Sequence, residues 1–136
     1  MEKITIHSNI TQIEEAITSI LDSVNKFDVA EETFFDIKLM LSEILVNAMT
    51  HGNLDDPGKK IFVFYKIENR KLTLTVEDEG EGFDYNNVAD PSLPDNLTKS
   101  SGRGIFLVKN LSDLVSFNLR GNSITFEKTL IGKVDM

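Results

Sequence analysis

Apolar and polar residues alternate through "KITIHS", the period-two pattern of a half-buried strand. The period then lengthens. Through "NITQIEEAITSILDSVNKF", Ile10, Ile13, Ile17, Ile20, Leu21 and Val24 recur at helical spacing, and Asn9 stands where a capping side chain belongs. A second, longer helix is predicted over about residues 30–51. Its apolar stripe is Phe34, Ile37, Leu41, Ile44, Leu45 and Ala48, and Gly52 supplies its C-terminal stop. "NLDDPGKK" then reads as a turn.

Two strands follow as a hairpin, "KIFVFYKIE" and "KLTLTVED", joined near Asn69 and Arg70. In the second strand Leu72, Leu74 and Val76 share one face, and alternation puts Asp78 on that same core-facing row. A short helix is expected from about 103 to 111, and strands near 114–119 and 123–129 flank the turn "RGN". The segment from Phe83 to Ser101 has two prolines and little periodicity, the mark of a long irregular loop. Helices and strands that do not alternate regularly predict an α+β fold, with helices on one face of a mainly antiparallel sheet. With no internal repeat or linker, residues 1–136 are expected to form a single domain.

Composition narrows the function classes. Hydrophobic residues make up 40% of the 136 and charged residues 26%, the balance of a globular chain. No cysteine is present, which excludes disulfides and thiolate metal sites. No apolar run approaches the roughly 20 residues of a membrane span, and the N-terminus lacks an export pattern, so a cytoplasmic location with no membrane partner is expected. The formal net charge of -8 argues against nucleic acid as a partner, because phosphate binding needs clustered Lys and Arg.

Three segments carry candidate chemistry. In "VEDEGEGFD", Asp78 is a carboxylate on a core-facing row, costly to bury unless something donates hydrogen bonds to it. An exocyclic amine such as adenine's is one suitable donor, with Gly80 and Gly82 leaving room for a ring or phosphate; the chain's own backbone in an acidic turn is another. In "LSEILVNAMTHGN", Glu43 and Asn47 lie one helical turn apart beside the apolar stripe. An Asn carbonyl oxygen suits Mg²⁺, and a Glu one turn away suits proton abstraction from a hydroxyl, although an ordinary polar helix border has the same residues. His51, near the helix C-terminus, is expected to be structural. In "KSSGRGIFLVKNLSD", Gly102 and Gly104 mark a helix start, where free N–H groups attract anions, and Lys99, Ser100, Ser101 and Arg103 add donors. This segment lacks the third glycine of a dinucleotide fingerprint, and "GNLDDPGKK" has Lys60 where a P-loop needs Ser or Thr.

Asn on a helix, D-x-G-x-G after a strand and G-x-G opening a helix form an ordered set, and in this the chain resembles the GHKL ATPase superfamily over nearly its whole length. "SEILVNAMTHGN" stands as the N box, "DEGEGF" as the G1 box and "SGRGIFLVKNLSD" as the G2 box. More narrowly it is similar to the RsbW-like anti-sigma factors and serine-protein kinases. The resemblance implies a two-layer Bergerat sandwich and an ATP site. There Asn47 coordinates Mg²⁺, Asp78 bonds the adenine amine, and Gly80 and Gly82 clear space for the base. Lys99, Ser101, Gly102, Arg103 and Gly104 meet the phosphates, residues 83–101 form a lid, and Glu43 is the general base toward a partner's serine.

The implied activity is phosphorylation of an anti-sigma-factor antagonist by a protein that also holds a sigma factor or other regulator, often as a homodimer. A nucleotide-gated binding module without transfer, and an ATPase that activates water through Glu43, are the alternatives. Two departures stand out. Residues 4–25 carry no Lys or Arg, so the basic docking residue some members use is missing from the first helix. The "RGN" turn also differs from the Gly-Gly-Thr type common in relatives, a difference expected to bear on the hairpin alone.

Overall fold

In the computed structural model, residues 1–82 and 100–133 are described, with backbone alone for 100–103. The chain runs β1 (Glu2–His7), α1 (Ile10–Asn25), α2 (Glu31–Asn47), a π-helical turn (Ala48–Gly52), β2 (Lys60–Glu68), β3 (Lys71–Asp78), α3 (Ser100–Leu111), β4 (Leu114–Phe117) and β5 (Ser123–Thr129). The sheet order is β1-β2-β3-β5-β4, and every neighbouring pair is antiparallel. This is the α+β arrangement the sequence predicts.

Local chemistry sets the boundaries. Asn9 accepts from the Gln12 backbone N–H at 2.9 Å, while the Gln12 side chain accepts from the His7 N–H at 2.7 Å, so the start of α1 satisfies its own donors. The β2–β3 hairpin turns on Asn69 and Arg70, with φ of 52° and 58°. Two consecutive left-handed residues match the twist of the flanking strands. Lys128 Nζ on β5 donates to the Leu111 carbonyl at 2.6 Å and lies 3.8 Å from Asp36, tying the end of α3 to α2 and the sheet.

The core lies between the helices and one sheet face. Ile13, Ile20 and Val24 of α1 and Ile37, Met40, Leu41, Ile44 and Leu45 of α2 are buried against Ile61 and Val63 of β2, Leu72, Leu74 and Val76 of β3, and Phe126 of β5. Each such side chain contributes about 1.5–3 kcal/mol by leaving water. Three predicted stripe residues sit at the margin instead, Ile17 of α1 being only partly buried. Ile10 is 50% exposed because it opens α1 ahead of the sheet-facing turns, and Phe34 is only partly buried, stacked edge-on to Phe35.

Two boundaries differ from expectation. The long helix is not uniform to residue 51: α2 ends at Asn47, and the last turn widens into the π-helix. Gly52 closes it without a left-handed φ; the left-handed residues come next, at Leu54 and Asp55. Helix α3 begins at Ser100 rather than near 103, so Gly102 and Gly104 lie within its first turns.

Candidate active site

The π-turn explains how α2 meets the end of β3. Ala48 stays in the core while Gly52, the last residue of the turn, arrives against Asp78. A Cβ on Gly52 would lie 2.3 Å from both Cγ and Oδ2 of Asp78. The Gly52 position is therefore filled by a carboxylate.

Asp78 ends the inward row as the alternation predicts, opposite Ile61, and is 6% exposed. Its Oδ1 accepts the Gly80 N–H at 2.8 Å, so the chain's own backbone supplies one of its donors. Burial pushes the Asp78 carboxyl above its usual range. The Gly80 N–H opposes that rise, the Glu77 charge adds to it, and Arg120 and then Lys59 oppose it more weakly.

The glycines of this stretch make room for protein first. A Cβ on Gly80 would lie 2.0 Å from the Gly52 carbonyl oxygen. At Gly82, where φ is 107°, it would lie 1.8 Å from the Arg120 carbonyl oxygen. The space a side chain would need at these two residues is thus taken by backbone from the π-turn and from the β4–β5 turn.

On the other side of the π-turn, Glu43 and Asn47 line a cavity of about 160 Å³ together with Val46, Thr50 and His51. His51, read from the sequence as structural, is exposed and borders this same cavity. Helix α3 packs against α2 beside it: a Cβ on Gly104 would lie 2.8 Å from Glu43 Oε2, so Gly104 brings the helix backbone close to the end of that flexible carboxylate side chain. The backbone of Ser101, Gly102 and Arg103 forms the first turn of α3, whose N–H groups have no partner within the helix. Lys99 and the remainder of the expected lid, residues 83–99, lie outside the described residues.

Three polar residues that the sequence reading passed over hold this arrangement. Asn53 is fully buried; its Nδ2 donates to Ser8 Oγ and to the Lys60 carbonyl, and its Oδ1 accepts the Glu79 N–H at 2.8 Å. Asn122 exchanges two hydrogen bonds with the Asp78 backbone, Nδ2 donating to its carbonyl and the Asn122 carbonyl accepting its N–H. Arg120 Nη2 donates to the Gly80 carbonyl at 2.9 Å. The "RGN" turn thus reaches the acidic loop, and its effect is not confined to the hairpin. An Asn just past a helix-ending glycine was the one available signal for Asn53.

The donor set fits Mg²⁺. Asn47 offers a single hard oxygen, and among the described residues no three His, Cys, Asp or Glu gather to hold a metal.

The sequence profile of the histidine kinase-like ATPase domain matches residues 6–128. The chain belongs to this family. Among its relatives, the serine-protein kinase RsbW of Bacillus cereus (strain AH820) is 32% identical over 95 residues, 65% of this chain and 59% of that protein. RsbW of Bacillus anthracis matches equally. The anti-sigma F factor of Oceanobacillus iheyensis is 25% identical over 122 residues, 85% of this chain and 82% of its own length. The match thus spans less than two thirds of the length of the RsbW relatives. As a histidine kinase-like ATPase domain, the chain has among its described residues no helix long and apolar enough to cross a membrane.

Proposed function

We propose that this chain is an ATP-dependent serine/threonine-protein kinase of the anti-sigma type, which phosphorylates an anti-sigma-factor antagonist and sequesters a sigma factor. The observation that carries this reading is the continuity of the site. One helical run bears Glu43 and Asn47, then delivers Gly52 onto Asp78, while the first turns of α3 lie across Glu43. Relatives named serine-protein kinase and anti-sigma factor support it.

In this reading Asp78 accepts a hydrogen bond from the adenine amine, and its neighbours at Gly80 and Gly82 border the base. Asn47 holds Mg²⁺, which when bound neutralises charge on the phosphates. Ser101, Gly102, Arg103 and Gly104 present backbone N–H groups to the phosphate oxygens, and Lys99 adds a cation that contacts ATP. Glu43 orients a serine hydroxyl of the partner and takes its proton as the phosphoryl group moves. Phosphoryl transfer asks mostly for positioning and charge neutralisation, and the half-buried Glu43 and Asn47 supply groups for both.

Calorimetric titration with Mg-ATP tests the site. Wild type should bind, Asp78→Asn should not, and Asn47→Ala should lose chiefly the Mg²⁺-dependent part. Glu43→Ala should keep ATP while losing transfer of labelled γ-phosphate to an antagonist protein; unchanged behaviour would identify a nucleotide-gated binding module. Phosphate release well above background with no partner present would instead favour an ATPase. Sedimentation would test the homodimer.

A further inference from the structure

The β4–β5 turn does more than reverse the chain. Asn118 Oδ1 accepts the N–H groups of Gly121, Asn122 and Ser123, at 2.8, 3.1 and 3.2 Å, which fixes the turn as a rigid loop. Its Nδ2 donates to Asn122 Oδ1 at 2.7 Å, orienting that amide so that its Nδ2 reaches the Asp78 carbonyl at 2.8 Å. From this loop Arg120 grips the acidic segment twice. Its guanidinium donates to the Gly80 carbonyl, and its own carbonyl packs where any side chain at position 82 would stand.

Gly80 is thereby held on three sides: by the Asp78 carboxylate on its N–H, by Arg120 on its carbonyl, and by the Gly52 carbonyl 2.0 Å from where its Cβ would be. We propose that Arg120 is a positioning residue for the nucleotide base, holding the Asp78–Gly82 segment so that the Asp78 carboxylate is presented to an exocyclic amine. This rests on the ATP-site reading above and adds to it a residue from outside the three boxes. The cationic group also acts at a distance. The charges bearing on Asp78 are Glu77 on β3, Lys59 before β2, and Arg120; Glu79 is turned to the Lys60 N–H. Removing Arg120 takes away one of two cations that favour the ionised, amine-accepting carboxylate.

Two variants separate positioning from mere support. Arg120→Met keeps the length of the side chain and loses donor and charge; Arg120→Lys keeps the charge with a single ammonium in place of the fork. Mg-ATP affinity is measured from pH 5 to 8, and the Asp78 carboxyl is titrated by ¹³C NMR in the nucleotide-free protein. Arg120→Met should bind about threefold more weakly at neutral pH, the modest worth of a charge-assisted hydrogen bond from a solvent-exposed side chain. Its affinity curve and its Asp78 titration should both move to higher pH. Arg120→Lys should leave both near their wild-type positions and recover part of the affinity. If Arg120→Met merely melts earlier, with both curves unmoved, Arg120 is a structural prop and the proposal falls. A wild-type protein that binds no nucleotide at any pH would overturn the ATP reading itself, and this inference with it.

Discussion

Replacing Gly80 with alanine tests the packing logic of the site in one atom. The new Cβ would sit 2.0 Å from the Gly52 carbonyl oxygen, about 1.3 Å short of the ~3.3 Å of an ordinary carbon–oxygen contact. Neither side can retreat freely. Gly52 leads directly into Asn53, whose amide is held by Ser8, Lys60 and Glu79, and Gly80 is held by Asp78 and Arg120. Overpacking of this kind costs about 1–3 kcal/mol, and losing the buried Gly80–Asp78 hydrogen bond adds about 1, while the bond from the exposed Arg120 adds little. The variant should be about 2–4 kcal/mol less stable by urea unfolding, and should bind Mg-ATP ten- to a hundredfold more weakly as Asp78 is displaced. Gly58→Ala is the control. There the nearest atom is Asp56 Oδ1, an exposed side chain at 3.2 Å, so stability should stay within about 0.5 kcal/mol of wild type. A Gly80→Ala protein with wild-type midpoint and wild-type affinity would refute the argument that backbone crowding fixes Asp78.

Because burial raises the Asp78 pKa, folding favours its protonated form: that contribution is complete below the ordinary value of 3.8 and is lost as pH rises through the higher native value. Urea midpoints measured from pH 4 to 7.5 should therefore decline less steeply in Asp78→Asn than in wild type. Asn53→Ala strands the Glu79 N–H and the Lys60 carbonyl; unfolding should show a loss of about 2–4 kcal/mol with little change in m-value. Phe126→Ala, at a fully buried position on β5, should cost about 3–5 kcal/mol in the same assay.

What the sequence could reveal depended on whether a residue's partner is near in the chain or periodic along it. Asp78 was legible because strand alternation alone assigns its face, and the Asn69–Arg70 turn because two strands leave it no other place. Glu43 and Asn47 were legible as neighbours because a helix brings residues one turn apart together. The widening at Ala48–Gly52 was not, since a π-turn keeps helical composition and differs only in which carbonyl each N–H finds. Asn53, Arg120 and Asn122 escaped for a related reason. Each satisfies backbone groups of a segment distant in sequence, and polar residues in turns look alike until tertiary structure supplies those groups. Gly80 and Gly82 were legible for the side chain they lack, but the backbone that fills that space comes from Gly52 and Arg120, which no local pattern names.

The pairing of β3 with β5 also sets an order of events in synthesis. These strands are adjacent in the sheet, yet α3 and β4 lie between them in the chain, so closing them spans a long loop and waits on late residues. Asp78 leaves the ribosome well before Asn122, which must arrive to hold its backbone. At about 5–20 residues per second the gap amounts to several seconds. During that interval Glu43, Asn47 and Asp78 have all been made, but the β4–β5 turn that holds the Asp78 segment has not, so on the proposed reading nucleotide has no completed site to stabilise.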